Sequence, residues 1–337
     1  MKVIVDAFGG DNAPLSVIKG VELAVKEYGA DIVLSGDEEK IKQCAEKNGV
    51  SLEKVSIINA PDVISMHDEP TDILKAKSQS SMAVGLKALK DGQGDAFLSA
   101  GSTGALVVGG TLIVKRIKGV KRAAMASVIP GKNNNYLMLD MGANADCRAE
   151  MLYQFGIMGS VYMQNVVGIN NPTVALLNIG TEDTKGGELQ KESFALLKNA
   201  PINFVGNVES REIPKGNVDV VVTDGFTGNI ALKLIEGVSL TMFSMIKSVL
   251  TKNIFTKIAA LILKKDLYKI KAKADYSEIG GAALLGIQKP VIKAHGSSDA
   301  YAIKNAIHQA IIFSQTGVID KISGDLAKMA DTEKTEN

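Results

Sequence analysis

Residues able to do chemistry gather in this chain at the ends of short apolar runs. In residues 95–114, Ala96, Phe97 and Leu98 lead into Ser99-Ala100-Gly101-Ser102-Thr103-Gly104, and a helix-like apolar segment follows at once. Strand, small-residue turn and helix together make an anion site. Glycines let the backbone approach, hydroxyls donate, and the free N–H groups of the first helical turn point at the charge. The same pattern also describes a tight strand–helix connection whose glycines serve packing. Neither the dinucleotide glycine pattern nor the Walker spacing occurs in this stretch.

Further polar turns have the same form. Leu139-Asp140-Met141-Gly142-Ala143-Asn144 puts Asp140 and Asn144 at a strand end, with Asp146 placed to cap the next helix. Residues 178–187 set Lys185 between acids and glycines, as a cation over an anionic substrate or as an exposed loop lysine. Thr223-Asp224-Gly225-Phe226-Thr227-Gly228-Asn229 follows a fully apolar strand, so Asp224 is expected to be partly buried against helix-start N–H groups, and Phe226 to fill the core. Ala294-His295-Gly296-Ser297-Ser298 places His295 between a strand and a helix, whereas His308 reads as a packed or surface residue of the last helix. Asp6 closes the first strand, where open α/β sheets bind ligands, and Asp11 reads as a helix cap. His67, beside Asp68 and Glu69, lacks the ligand spacing of a metal site.

Two basic segments stand apart from these turns. Lys115, Arg116, Lys118, Lys121 and Arg122 occur without an acid, as a landing place for an acidic protein or a phosphate-bearing group, or as cations complementing a helix dipole. From residue 229 a helical pattern runs to 250, pauses at Lys252-Asn253 and resumes to 263. In its second part Ile254, Phe255, Ile258, Leu261 and Ile262 share one face, with Lys252, Lys257 and Lys264 off its centre and Lys265, Lys269, Lys271 and Lys273 following. A basic helix with an aliphatic stripe suits a membrane surface. A subunit interface with a solvated cationic face gives the same pattern.

The elements that must position these residues alternate. Strands are expected over 3–6, 32–34, 55–58, 96–98, 174–177, 218–222 and 290–293, and helices over 15–28, 37–48, 78–89 and 299–316. That order implies an α/β fold with a doubly wound, mostly parallel sheet. Residues 123–128 and 136–139 depart from it as a hairpin around Pro130-Gly131. The glycine-rich 279–285 reads as close packing.

With 337 residues, 46% hydrophobic, the chain has ample core, and a net charge of +1 provides no global field for nucleic acid. Cys44 and Cys147 lie in unrelated contexts, which argues against a disulfide framework or zinc site. The first apolar run is too short for a signal peptide, and no apolar stretch approaches the ~20 residues of a bilayer span. A cytosolic protein is expected.

SAGSTGAL, LDMGANADC, NIGTEDTKGG, VTDGFTGN and IKAHGSS, with DAFGGDNAP before them, resemble in order and spacing the PlsX-type phosphate acyltransferases of bacterial phospholipid synthesis. The resemblance runs from residue 1 to about 317. It implies the fold of isocitrate/isopropylmalate dehydrogenases and phosphotransacetylases, as one two-lobed α/β domain over 1–329 in a homodimer. A helical hairpin would protrude at about 229–273, and a tail over 330–337 would fray. It implies that inorganic phosphate attacks the thioester of long-chain acyl carrier protein, giving acyl phosphate for a membrane glycerol-3-phosphate acyltransferase. The family usually carries Asn where Ser102 stands, Met where Phe8 stands, and often Arg where Lys75 stands.

Such a reaction needs no metal or cofactor, because phosphate is already an anionic nucleophile. The site must orient it, stabilise the tetrahedral oxyanion and help the thiol leave. Ser99, Gly101, Ser102, Thr103 and Gly104 are expected to cradle phosphate, with Lys185 neutralising charge and Asn144 and Asn229 supplying amide donors. His295 is expected to be either a phosphate donor or the acid for the departing thiol, with Asp224 orienting His295 or Lys185. Residues 115–122 are expected to dock the acidic carrier protein, and the aliphatic face of 254–262 to meet anionic membrane. A phosphotransacetylase-like enzyme using acyl-coenzyme A, a decarboxylating dehydrogenase of the same fold, and a non-catalytic membrane scaffold are the competing readings.

Overall fold

Apolar runs of three to seven residues, most of them closed by a polar turn, fold as strands in the computed structural model, which describes residues 1–274 and 280–335, and the side chains of 1–267 and 280–326. The strands are β1 (Lys2–Asp6), β2 (Asp31–Gly36), β3 (Val55–Asn59), β4 (Ala96–Ser99), β5 (Ala124–Ile129), β6 (Tyr136–Leu139), β7 (Thr173–Asn178), β8 (Asn203–Glu209), β9 (Val220–Val222), β10 (Ala282–Leu285) and β11 (Val291–Lys293). Between and after them lie α1 (Leu15–Tyr28), α2 (Glu38–Asn48), α3 (Ser81–Lys90), α4 (Thr103–Gly109), α5 (Ala149–Tyr162), α6 (Glu188–Lys198), α7 (Gly225–Leu250), α8 (Ile254–Ala274), α9 (Ala300–Gln315) and α10 (Val318–Thr335). Local signals set many of these limits. Gly29 ends α1 in the left-handed conformation, and the carboxylates of Asp37, Asp224 and Asp299 accept N–H groups at the starts of α2, α7 and α9.

All the strands join one sheet, in the order β3-β2-β1-β4-β11-β10-β5-β6-β9-β7-β8. The sheet is mixed and, as expected, mostly parallel. Its flanks are parallel, but β11–β10, β10–β5 and β5–β6 are antiparallel. Three reversals in succession turn the second flank against the first. The carboxyl ends of β1, β4 and β11 therefore lie along one edge of the sheet, and those of β6, β9 and β7 along the other.

Strand residues alternate between two faces. Val3, Val5, Leu98, Leu137, Leu139 and Val222 share one continuous core with apolar residues of α1, α2, α5, α6, α9 and α10. The opposite face carries two separate cores. Ile4, Phe97 and Leu284 pack with α3 and α4, while Met138, Ala175 and Val221 pack with Ala231, Leu232 and Ile235 of α7. The face is thus covered from two sides, by α3 and α4 on the first flank and by α7 on the second.

Several expectations are corrected here. Asp146 does not cap α5, whose N-cap is Arg148. Phe226 is 63% exposed instead of buried in the core. Of the tail expected to fray, residues up to Thr335 belong to α10, and residues 336–337 lie outside the described part. Contrary to the expectation that no segment could span a bilayer, α7 is long and apolar enough by length and composition. Its first turns are nevertheless built into the sheet through Ala231, Leu232 and Ile235.

Candidate functional site

The first group of polar turns stands at the ends of β1, β4 and β11. The Ser99 hydroxyl donates to Asp6 Oδ2 at 2.7 Å and accepts the Gly101 N–H at 3.0 Å. Ser102 caps α4 by accepting the Ala105 N–H at 3.4 Å. Ser99 and Ser102, both buried, therefore shape the turn, and the N–H groups of Thr103 and Gly104 are the ones left without intrahelical partners by their place in the first turn. Gly104 also serves packing, since a Cβ there would lie 2.8 Å from Pro70 Cγ. Burial pushes the Asp6 carboxyl above its ordinary range, against the bonds it accepts from Ser81, Ser99 and the backbone.

His295 is exposed at the end of β11. Its Nδ1 accepts the Ser297 N–H at 3.2 Å and lies 2.8 Å from the Ser297 hydroxyl. In the neutral ring that acceptance leaves the proton on Nε2. Partial burial holds its pKa below the usual value, and the charges of Lys233 and Lys293 add to the effect. Lys293 itself went unnoticed in the sequence, although a lysine closing an apolar strand just before Ala-His-Gly was the available signal. Burial lowers its pKa to about 8.

The second group lies at the ends of β6 and β9. Asp140, fully buried, accepts N–H groups from Met125 (3.0 Å), Gly142 (3.2 Å), Ala143 (3.0 Å) and Asn144 (2.7 Å), and the Asn144 side-chain amide at 2.8 Å. Asn144 also donates to the Ala123 carbonyl at 2.7 Å. The Asn144 amide thus donates once within its own turn, to Asp140, and once to the carbonyl that leads into β5. Asn229 is exposed, lying against Gly142, where a Cβ would be 3.7 Å from its Nδ2. Asp224, expected to orient His295 or Lys185, instead accepts the N–H and hydroxyl of Thr227, both at 2.8 Å. Asp140→Ala should leave this buried group of N–H donors unpaired, costing on the order of 3 kcal/mol. Denaturant unfolding measures that loss, and an unchanged midpoint would show the turn to be held by other means.

Lys185 sits in the turn after β7, half-exposed, with Nζ 3.9 Å from Glu182. Asn178 holds that turn by donating to the Lys185 carbonyl at 3.1 Å. The two groups of turns are linked by α7, which starts beside Asp140 and carries Lys233 and Glu236 within electrostatic reach of His295. Lys115, Arg116, Lys118, Lys121 and Arg122 are all exposed, and Arg122 directly precedes Ala123, the acceptor of the Asn144 amide. Ile254, Phe255, Ile258, Leu261 and Ile262 are each at least 51% exposed. Lys269, Lys271 and Lys273 have side chains outside the described residues.

Comparison with known proteins places the chain among relatives of similar length. A family model described as "Fatty acid synthesis protein" matches residues 1–321. A phosphate acyltransferase of Alkaliphilus oremlandii is 47% identical over 333 residues, covering 99% of each chain. One from Bacillus cereus is 48% identical over 330 residues, covering 97% of this chain and 99% of that one. Among solved structures, a phosphotransacetylase from Streptococcus pyogenes superposes with a TM-score of 0.65 at 17% identity, over 93% of this chain and 94% of the other. A branched-chain phosphotransacylase from Enterococcus faecalis gives 0.57 at 16%, over 94% and 100%.

Proposed function

Because the chain belongs to the fatty acid synthesis protein family, whose members here are phosphate acyltransferases, we propose that it moves a long-chain acyl group from acyl carrier protein to inorganic phosphate. The observation that carries this reading is the full-length match at 47–48% identity, beside a family model that spans residues 1–321, the range in which the polar turns described above lie.

A phosphate oxygen attacks the thioester carbonyl carbon, the tetrahedral oxyanion collapses, and the carbon–sulfur bond breaks. The sulfur leaves as a thiolate and takes up the proton that the hydrogen phosphate loses on acylation, giving acyl phosphate and free carrier protein. Thr103 and Gly104 N–H groups and the positive fields of Lys293 and Lys233 favour the phosphate. Asn229 and His295 supply neutral donors, and Lys185 neutralises charge at the mouth. Residues 115–122 receive the acidic carrier protein. The apolar faces of α7 and α8 serve contact with anionic membrane or with a second copy. This makes the enzyme a cytoplasmic, peripherally membrane-bound homodimer feeding a glycerol-3-phosphate acyltransferase.

The likeness of fold to phosphotransacetylases favours a second reading, in which the acyl donor is a coenzyme A thioester. Incubation with either thioester plus phosphate, followed by hydroxylamine trapping, separates them. Phosphate-dependent hydroxamate from the carrier-protein thioester, at a kcat/KM at least tenfold above that for acyl-coenzyme A, is expected. Phosphate-dependent hydroxamate from acyl-coenzyme A but not from the carrier-protein thioester would replace the first reading by the second.

A further inference from the structure

Lys293 closes β11 two residues before His295, and its side chain folds back onto the strand ends. Its Nζ donates to the carbonyl of Ala100 at 3.4 Å and to that of Ala294. These carbonyls belong to the peptide groups that lead into Gly101 and His295, so one ammonium is bonded to both turns. The Ala294 N–H donates to the Ser99 carbonyl at 2.9 Å, and the Asp11 N–H to the Gly296 carbonyl at 2.8 Å. The three loops meet where side chains have no room. A Cβ on Gly9 would lie 2.7 Å from Gly101 N, and one on Gly10, at φ +99°, would lie 2.9 Å from the Gly296 carbonyl oxygen.

A neutral donor would satisfy the two carbonyls without the cost of burying a charge. The cation that stands here is opposed by its own burial and by Lys233 of α7, and favoured by Asp6 at the end of β1 and Asp11 in the following loop. His295 is the remaining titratable neighbour on its own loop, and Glu236 of α7 faces His295 in turn. Two acids nearby do not restore the ammonium to its ordinary range, so a further negative charge is the natural complement of the site.

We infer that Lys293 is a positioning residue that bonds the 99–104 and 294–298 turns into one unit and sets a fixed positive charge beside bound phosphate. This rests on the phosphate-transfer reading. Lys293→Gln keeps N–H donors and removes the charge, whereas Lys293→Met removes both. For Lys293→Gln, KM for phosphate should rise about tenfold while KM for the thioester stays within about twofold. Wild-type affinity for phosphate, corrected for the ion's own ionisation, should fall from pH 7 to 9, and that limb should vanish in the glutamine variant. Lys293→Met should lose kcat as well.

A glutamine variant with wild-type phosphate KM and the same alkaline limb would overturn the inference, as would an equal rise in both KM values. If the methionine variant fails to fold, the glutamine variant decides alone. Should the wild type make no acyl phosphate, the reaction reading fails, and titration of melting temperature with inorganic phosphate still decides. Phosphate stabilising the wild type but not Lys293→Gln supports the role, and equal stabilisation of both, or of neither, refutes it.

Discussion

Replacing His295 by alanine is expected to lower kcat/KM for acyl-phosphate formation by a factor of about a hundred, with the fold intact. The residue is exposed, the Ser297 N–H that its ring accepts is exposed too and can turn to water, and backbone bonds from Ala294 to Ser99 and from Asp11 to Gly296 still hold the turn. Partial burial, with the charges of Lys233 and Lys293, holds the His295 pKa below the ordinary value, which favours the neutral ring and so a hydrogen-bond donor over an acid for the departing thiolate. The ring still donates one N–H, from Nε2, to a phosphate or oxyanion oxygen. At saturating phosphate, kcat should therefore stay level from pH 7 upward, where an imidazolium acid would lose rate steadily. His295→Gln, which retains an N–H donor, should recover part of the loss. Near-normal turnover in His295→Ala would remove the residue from the mechanism.

Many strand ends were legible because the apolar run stops at a small or polar residue, such as Asp6, Ser99, Asp140, Asn178 or Thr223, and α1 lies where its periodicity and Gly29 put it. The hairpin of β5 and β6 was legible from Pro130-Gly131 and the two runs beside it. What stayed hidden was direction. Ala-Ala-Leu-Leu of β10 has the composition of a helix, and it is a strand only because β5 and β11 pair with it on both sides. Missing that one strand hides the reversal that sets Ser99 and His295 on one edge of the sheet and Asp140 and Asp224 on the other. The hydrogen bonds that Asn144 and Asp224 make to nearby groups stayed hidden for a related reason. A polar residue at a strand end looks the same in sequence whether its side chain faces a ligand or closes its own turn. The sequence also marked only the second half of the apolar surface, since α7 is apolar nearly all round and a helix of that kind ordinarily reads as core.

Aspartate at both Ile258 and Leu261 is expected to abolish flotation of the protein with anionic vesicles while leaving transfer from a soluble thioester donor unchanged. Leu234, Leu240, Met245 and Val249 of α7 are at least 63% exposed, as are Phe255 and Ile262 of α8 at 79% and 77%. So many large apolar side chains in contact with water mark a surface that another phase or partner covers. Lys252, Lys257, Lys264 and Lys265 are exposed along the same segment, and near anionic lipid each contributes roughly 1 kcal/mol. Ile258 and Leu261 stand 51% and 69% exposed, so aspartate there meets no core and the helix survives the change. On the membrane each aspartate must be carried into the acyl boundary beside anionic headgroups, losing the transfer energy of the aliphatic chain and adding like-charge repulsion. Together these amount to several kcal/mol, more than a hundredfold in partition. Binding should also weaken with salt and be poor on neutral vesicles, because the lysine contribution is screened over about 10 Å at 0.1 M. Flotation equal to wild type would remove α8 from the membrane contact. A variant that instead dissociates from dimer to monomer would assign the same face to a second copy of the chain.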